Sequence, residues 1–215
     1  MKIDVLTLFP EMIEQALSYS IPNRAQEKGH ASVKAHQLRH WAIDKHGNVD
    51  DTPYGGGPGM ILRVDVADAA LEAVDHGHTA HRVMLTPDGD QFDQKMAEEF
   101  SKKEALVFLC GRYEGFDARI EEYVDQKVSI GPYVLSGGEL PTLVIIDSIL
   151  RLIPGVLGNV ASLAEETFET DLTEYPQYTR PNIYKGKGIP DILLTGHHAE
   201  IAKWRLSKRR SASNR

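Results

Sequence analysis

Ser129-Ile-Gly-Pro-Tyr-Val-Leu-Ser-Gly-Gly-Glu-Leu-Pro141 is a glycine-bearing loop that hands a short strand over to a long helical pattern. The strand is predicted over Lys127–Ile130 and the helix from about Glu139 to Ile153. Pro141 falls in the first helical turn, where its missing N–H costs nothing. Pro154-Gly155 then stops the helix. Upstream, Ala105–Cys110 is an apolar strand that runs into Cys110-Gly-Arg-Tyr-Glu-Gly-Phe-Asp117, and a helix is expected over Ala118–Val124. Arg82–Leu85 reads as another strand, leading into Thr86-Pro-Asp-Gly89. Phe92, Met96 and Phe100 recur at four-residue steps and predict a helix over Phe92–Ser101. At the N-terminus the apolar run Ile3–Phe9 ends at Pro10, and a helical pattern follows from Glu11 to about Leu17. Strand, loop and helix in alternation imply an α/β fold, a largely parallel sheet covered by helices on both faces. Ligands of such sheets bind at the carboxyl ends of the strands, where the loops after Cys110 and Ser129 lie.

A third glycine loop, Tyr54-Gly-Gly-Gly-Pro-Gly-Met60, precedes these two. None of the three has the glycine spacing of a dinucleotide fingerprint or the Lys-Ser/Thr ending of a P-loop. Glycine admits close approach of main chain to a ligand. The loops therefore suit a flat, phosphate-poor ligand held by backbone groups, and three of them in one short chain point to a binding crevice.

The 215 residues, 41% hydrophobic and 26% charged, suffice for one sizeable core with a small appendage. The N-terminal stretch is too short and too acidic for a signal peptide, and no apolar run approaches the roughly 18 residues of a membrane span. The single Cys110, at the end of an apolar run, is read as a buried thiol in a cytoplasmic protein. A net charge of −7 argues against nonspecific nucleic-acid binding by the whole surface, so DNA and membranes are not expected partners. The charge is unevenly spread, however. After Glu200 come Lys203, Arg205, Lys208, Arg209, Arg210 and Arg215 with no acid among them, either a solvated tail or an arm that contacts phosphates. Residues 160–175 are acidic and lack apolar periodicity, which marks a linker. The expected organisation is a main domain over 1–159, the linker over 160–175 and a small segment over 176–215. About 40 residues without disulfide or metal rarely fold alone, so that segment should lean on the main body or on a partner chain.

His76, His78 and His81 surround a glycine in a polar loop, without Cys-x-x-Cys or His-Glu-x-x-His spacing, so no metal site is expected there. No Gly-x-Ser-x-Gly occurs, which disfavours nucleophilic hydrolysis.

Taken together, Val49-Asp-Asp-Thr-Pro-Tyr-Gly-Gly-Gly-Pro-Gly-Met60, Cys110-Gly-Arg-Tyr-Glu-Gly115, Ser129-Ile-Gly131, Tyr133-Val-Leu-Ser-Gly-Gly-Glu-Leu-Pro141, Ile153-Pro-Gly-Val-Leu-Gly158 and Tyr178-Thr-Arg-Pro181 resemble the bacterial tRNA (guanine-N1)-methyltransferases, the TrmD family. These belong to the SPOUT superfamily. The resemblance runs from Phe9-Pro10 to about Arg205. It implies a C-terminal trefoil knot in the catalytic domain, a homodimer with active sites shared between subunits, and S-adenosylmethionine as methyl donor. Its target is the guanosine immediately 3′ of the anticodon in tRNA. By the same resemblance the donor contacts Leu85, Thr86, Pro87, Gly111, Tyr113, Glu114, Ile130, Gly131, Pro132, Tyr133, Val134, Leu135, Gly137, Gly138 and Pro141. Pro132 stands where many relatives carry an acid. Arg180, Lys203, Arg205, Lys208 and Arg209 would contact tRNA, and a divalent ion such as Mg assists relatives.

The chemistry sets its own demands. Guanine N1 carries a proton at neutral pH, which a carboxylate within hydrogen-bonding reach can take. The charge that builds on O6 as the proton leaves can be stabilised by an arginine. The family's arginine matches Arg151, and its aspartate position in the linker holds Glu166, with Asp171 as the alternative base. Neighbouring Glu165 would raise the Glu166 pKa by like-charge repulsion. Relatives continue further past the pair matched by Trp204-Arg205, so a shortened C-terminal helical appendage is expected. Two other readings stay open: a SPOUT methyltransferase acting on another RNA nucleoside, and a catalytically weak tRNA-binding module.

Overall fold

The computed structural model describes residues 1–157 and 174–209. The chain divides into two compact units, Met1–Gly158 and Asn159–Arg215.

Five parallel strands form the sheet of the first unit: β1 (Lys2–Thr7), β2 (Ser32–Gln37), β5 (His81–Gln91), β6 (Ala105–Cys110) and β7 (Gln126–Ser129), in the spatial order β2-β1-β6-β5-β7. Side chains alternate across a strand, and the two faces of β6 show it. Leu106, Phe108 and Cys110 enter one core with Ile3, Val5, Ile13, Leu17, Phe100, Ile145 and Ile149. Val107 and Leu109 enter the other with Leu6, Val66, Ala70, Leu71, Met84 and Ile120. Helices α1 (Pro10–Leu17), α2 (Ser20–Glu27), α4 (Gln94–Ser101) and α5 (Glu139–Leu152) supply the first core. Helix α3 (Val64–Val74) and the 3-10 turns Leu38–Trp41 and Ala118–Tyr123 supply the second. Both faces are therefore covered, as a parallel sheet requires. A two-stranded antiparallel ribbon, β3 (Asp50–Asp51) with β4 (Ile61–Leu62), closes the glycine loop 52–60 at its base.

Two expectations change. The segment 118–124 is a single 3-10 stretch ending at Tyr123 instead of an α-helix. Strand β5 runs to Gln91, past the Leu85 boundary read from the turn residues that follow it. Val128 of β7 faces both Leu85 and Asp90, so Thr86–Gly89 bulge from the strand and pairing resumes beyond them. The turn residues do reverse the chain locally, but they make a bulge within one strand and do not end it.

At the amino end of the sheet lies a group that hydropathy cannot anticipate. Arg82 on β5 is 1% exposed. Its Nε donates to Asp75 Oδ2 at 2.8 Å, and its Nη2 donates to the Asp75 carbonyl at 2.7 Å and to Glu72 Oε1 at 3.3 Å. Burial acts to raise the Asp75 carboxyl, but the Arg82 guanidinium and the N–H groups of Ala80 and Thr79 outweigh it, so the group lies below its ordinary 3.8. A depressed folded-state pKa contributes stability that is fully present above the unfolded value and is lost as pH falls through the folded one. Removing one partner of a buried pair strands the other charge. Arg82→Met, measured by urea unfolding near neutral pH, is expected to cost about 3–5 kcal/mol, and the deficit should shrink in acid. An unchanged midpoint would remove this cluster from the stabilising interactions.

In the second unit α6 (His198–Lys208) packs with the 3-10 turn Asp191–Leu194, and β8 (Ile183–Tyr184) pairs antiparallel with β9 (Lys187–Gly188). The Tyr178 and Trp204 rings meet tilted by 50° with centroids 6.4 Å apart, and the Arg205 guanidinium lies over the Tyr175 ring at 4.9 Å.

Candidate active site

Strands β6 and β7 end at the same edge of the sheet, and the segments that follow them enclose, with the bulge of β5, a cavity of about 380 Å³. One wall is the β5 bulge with Leu85, Thr86 and Pro87. A second is the β6 loop with Gly111, Tyr113 and Glu114. The third is the β7–α5 loop with Ile130, Gly131, Tyr133, Val134, Leu135, Gly137, Gly138 and Pro141. Fourteen of the fifteen residues expected to hold the donor thus line one cavity, although they are spread over 57 positions of sequence. Pro132 is the exception: it is exposed and does not line the cavity.

Backbone closeness builds the pocket. The Gly138 N–H donates to the Gly111 carbonyl at 2.9 Å, which joins the second and third walls. A Cβ at Gly138 would stand 2.7 Å from Cys110 Cα and 2.9 Å from Gly111 N, so no side chain fits there. Tyr113, at φ 57°, takes the left-handed conformation that disfavours all but a few residue types, and it lies half exposed at the turn closed by the Gly115 N–H on the Arg112 carbonyl. Gly138→Ala is expected to force these loops apart and to lower donor affinity at least about tenfold, the scale of one missing charged or buried hydrogen bond. Calorimetry on the folded variant showing wild-type affinity would rule this out.

Sequence reasoning missed several residues on the wall, among them Asp88, Arg112, Phe116, Asp117 and Glu121. Lys127 Nζ bonds Asp88 Oδ2 at 3.1 Å and Glu121 Oε1 at 3.1 Å, so one lysine on β7 ties the bulge to the 3-10 turn. Hydrogen bonds from the Thr86 hydroxyl and then from Lys127 hold the Asp88 carboxyl below its usual range. The Arg119 guanidinium beside Asp117 holds that group down to about 2. Both carboxylates are therefore charged at neutral pH, and each is paired with a cation, Asp88 with Lys127 and Asp117 with Arg119. Their signal in the sequence was no more than acids next to turn residues.

The first glycine loop does not line the cavity. It braces the second loop from outside, through Glu114 N–H on the Met60 carbonyl at 3.1 Å, Leu62 N–H on the Gly115 carbonyl at 2.9 Å and Asp117 N–H on the Leu62 carbonyl at 2.9 Å.

Arg151 is not brought to this cavity within its own chain. It lies half-buried in the last turn of α5, while Pro141 on the cavity wall lies in the first. At 1.5 Å per residue the separation is about 15 Å along the helix axis. Glu166 and Asp171 lie outside the described residues, as do Glu165, Arg210 and Arg215. In the second unit Arg180 is exposed, Lys203, Arg205 and Lys208 project from α6, and Arg209 follows it. Lys203 pairs with Glu200 at 2.9 Å. His76 faces Glu72 at 3.6 Å, while His78 and His81 both face Asp125, at 2.9 and 3.7 Å. Cys110 is fully buried against the Thr142 hydroxyl at 3.2 Å.

The fold and site define a parallel α/β protein with a cavity over the carboxyl edge of its sheet, walled by the β5 bulge and the loops that follow β6 and β7. Comparison with known proteins narrows this class. The family described as tRNA (Guanine-1)-methyltransferase TrmD matches residues 1–215, and the chain belongs to that family. It is 49% identical to the tRNA (guanine-N(1)-)-methyltransferase of Citrifermentans bemidjiense, covering 100% of this chain and 88% of that protein. Similar relatives of the same description occur in Treponema denticola, at 52% identity over 97% of this chain and 86% of the relative, and in Staphylococcus epidermidis, at 48% over 95% and 84%.

Proposed function

We propose that the protein transfers a methyl group from S-adenosylmethionine to N1 of the guanosine immediately 3′ of the anticodon in tRNA. The observation that carries this reading is the cavity: fourteen residues matching the family's donor-contacting positions converge on it, in a chain that belongs to the family. S-adenosylmethionine lacks phosphates, and a site of backbone groups and aliphatic side chains suits its adenosine. The donor supplies an electrophilic methyl group. The chain's own residues orient the base, take the N1 proton at a linker carboxylate and stabilise the charge on O6 through Arg151. Among the described residues no group of three His, Cys, Asp or Glu side chains is set to hold a metal ion.

The reading includes a homodimer with shared sites. Its support is the place of Arg151, remote from the cavity at the far end of α5, and the exposed row that leads to it. Leu140 and Val144 are 51% and 48% exposed, one turn apart on the same face of α5, with Phe9 and Met12 exposed on the neighbouring β1–α1 corner and α1. A two-fold pairing that runs two α5 helices antiparallel sets the last turn of one beside the first turn of the other. Arg151 of one chain then serves the partner's cavity. The knot belongs to the reading as well, supported by the return of the β7–α5 loop to the end of β6 through Gly138 and Gly111.

No helix among the described residues is long and apolar enough to cross a membrane. From Glu174 to Arg209 the chain carries seven Lys or Arg against three acids, the reverse of the overall balance, which suits a phosphate-contacting segment. Lys208→Ala with Arg209→Ala is expected to weaken tRNA binding and to lower the slope of log K against log salt by about one for each phosphate left unneutralised. An unchanged slope would exclude both residues from the interface.

Incubation with unfractionated tRNA and S-adenosylmethionine, followed by nucleoside analysis, tests the whole proposal. 1-Methylguanosine is the expected product. A different methylated nucleoside, or none, overturns it.

A further inference from the structure

We infer that Glu139 is a positioning residue for the donor cavity and acts on it through Arg112. The inference rests on the reading of that cavity as the S-adenosylmethionine site. Glu139 opens α5, and an acid in a first turn ordinarily serves the helix dipole from the surface. This one is 1% exposed. Burial of a carboxylate is costly unless it is bonded, and here both oxygens are engaged. Oε1 accepts the Thr7 hydroxyl at 2.6 Å, and Oε2 accepts Arg112 Nε at 3.0 Å and pairs with Arg112 Nη2 at 2.9 Å. The Thr7 oxygen in turn accepts the Phe9 N–H at 2.9 Å, so the hydroxyl is fixed as donor to Glu139.

Arg112 turns this fixed carboxylate into loop geometry. Its Nη1 donates to the Ser136 carbonyl at 3.2 Å, and its guanidinium lies over the Phe9 ring at 4.4 Å. One planar group thus joins the β6 loop, the β7–α5 loop and the β1–α1 corner. Its sequence neighbours Gly111 and Tyr113 line the cavity, as do Leu135 and Gly137 beside its Ser136 acceptor. At Gly137 a Cβ would meet Glu139 Oε2 at 2.6 Å and Arg112 Cδ at 2.7 Å, so the loop lies directly on the ion pair. Glu139 itself does not line the cavity, whereas Arg112 does. A guanidinium held by two atoms on one carboxylate has little freedom to turn, and the spacing of the two loops is set by it. A carboxamide at position 139 keeps the volume, removes the charge and leaves one oxygen where two accept from the Thr7 hydroxyl and the guanidinium.

The test is donor binding by calorimetry alongside steady-state kinetics with tRNA. Glu139→Gln is expected to raise the S-adenosylmethionine Kd, and its KM with it, about 10- to 100-fold, while the KM for tRNA and turnover at saturating donor stay near wild type. Arg112→Lys, which keeps the charge but not the planar fork, should move the same constants in the same direction. Thr7→Val removes only the hydroxyl donor and should give a smaller rise of the same kind; it decides the matter if Glu139→Gln does not fold. Wild-type donor affinity in the folded variants overturns the inference. So does a loss confined to turnover, which would place the pair at the reacting atoms. Failure of the wild-type protein itself to bind S-adenosylmethionine would instead overturn the underlying reading of the cavity, before any variant is compared.

Discussion

Arg151→Ala is expected to lower methyl transfer by about 10²–10³, the usual scale for losing one donor aimed at developing negative charge, and to leave S-adenosylmethionine binding intact. The second half of that expectation comes from position: Arg151 sits at the opposite end of α5 from the cavity of its own chain. A mixing experiment examines the shared site directly. In the proposed homodimer, Gly138→Ala spoils the cavity of its own chain and Arg151→Ala spoils the chemistry at the partner's, so at limiting donor each homodimer should have little activity. In a hybrid dimer one intact cavity meets one intact Arg151. Random reassortment should therefore restore about a quarter of the wild-type rate. Absence of any recovery after demonstrated subunit exchange would assign Arg151 to its own chain's cavity, or to no site at all.

The other large effect is expected at Glu166. Glu166→Gln keeps the shape and hydrogen-bonding capacity of the side chain but cannot accept the N1 proton, so turnover should fall by about 10²–10⁴, the range for a general base. The acidic limb of the pH–rate profile should flatten at the same time, because the group that titrates there is gone. Near-wild-type activity of Glu166→Gln together with an inactive Asp171→Asn would transfer the role to Asp171. Each outcome names a different base.

The legible parts of the fold were those whose local chemistry agreed with their tertiary role. The apolar run of β6 and the loop from Ser129 to Pro141 announced a strand end, a close backbone approach and a helix start, and each stands where it was read. Strand β2 gave no comparable signal, because Ser32–Gln37 is an edge strand of mixed residues and only half-buried. Turn residues at Thr86–Gly89 were legible as a turn but not as a bulge, since a register break depends on β7, some 40 residues away. Buried charge was least legible of all. Arg82 looks like an ordinary strand-flanking cation and Glu139 like an ordinary helix-opening acid. Their burial follows from partners at distant positions, Asp75 for one and Thr7 and Arg112 for the other. The candidate donor-site residues were read through the family resemblance, while the contacts that hold them in place came only with the three-dimensional arrangement.

The placement of Cys110 also gives the protein a built-in clock for its own opening. The thiol is the only one in the chain, lies at the carboxyl end of the central strand β6 and is fully enclosed, and burial pushes its pKa far above that of a free thiol. Alkylating reagents attack the thiolate, so at neutral pH the folded protein should stay unlabelled while the unfolded chain reacts at once. With fast reclosing, the labelling rate reports the population of molecules in which α5 has lifted from the sheet. Saturation with S-adenosylmethionine, which would bridge the loops on either side of Cys110, should slow that rate in proportion to donor occupancy, so a single mass-spectrometric time course would report both conformational opening and ligand affinity.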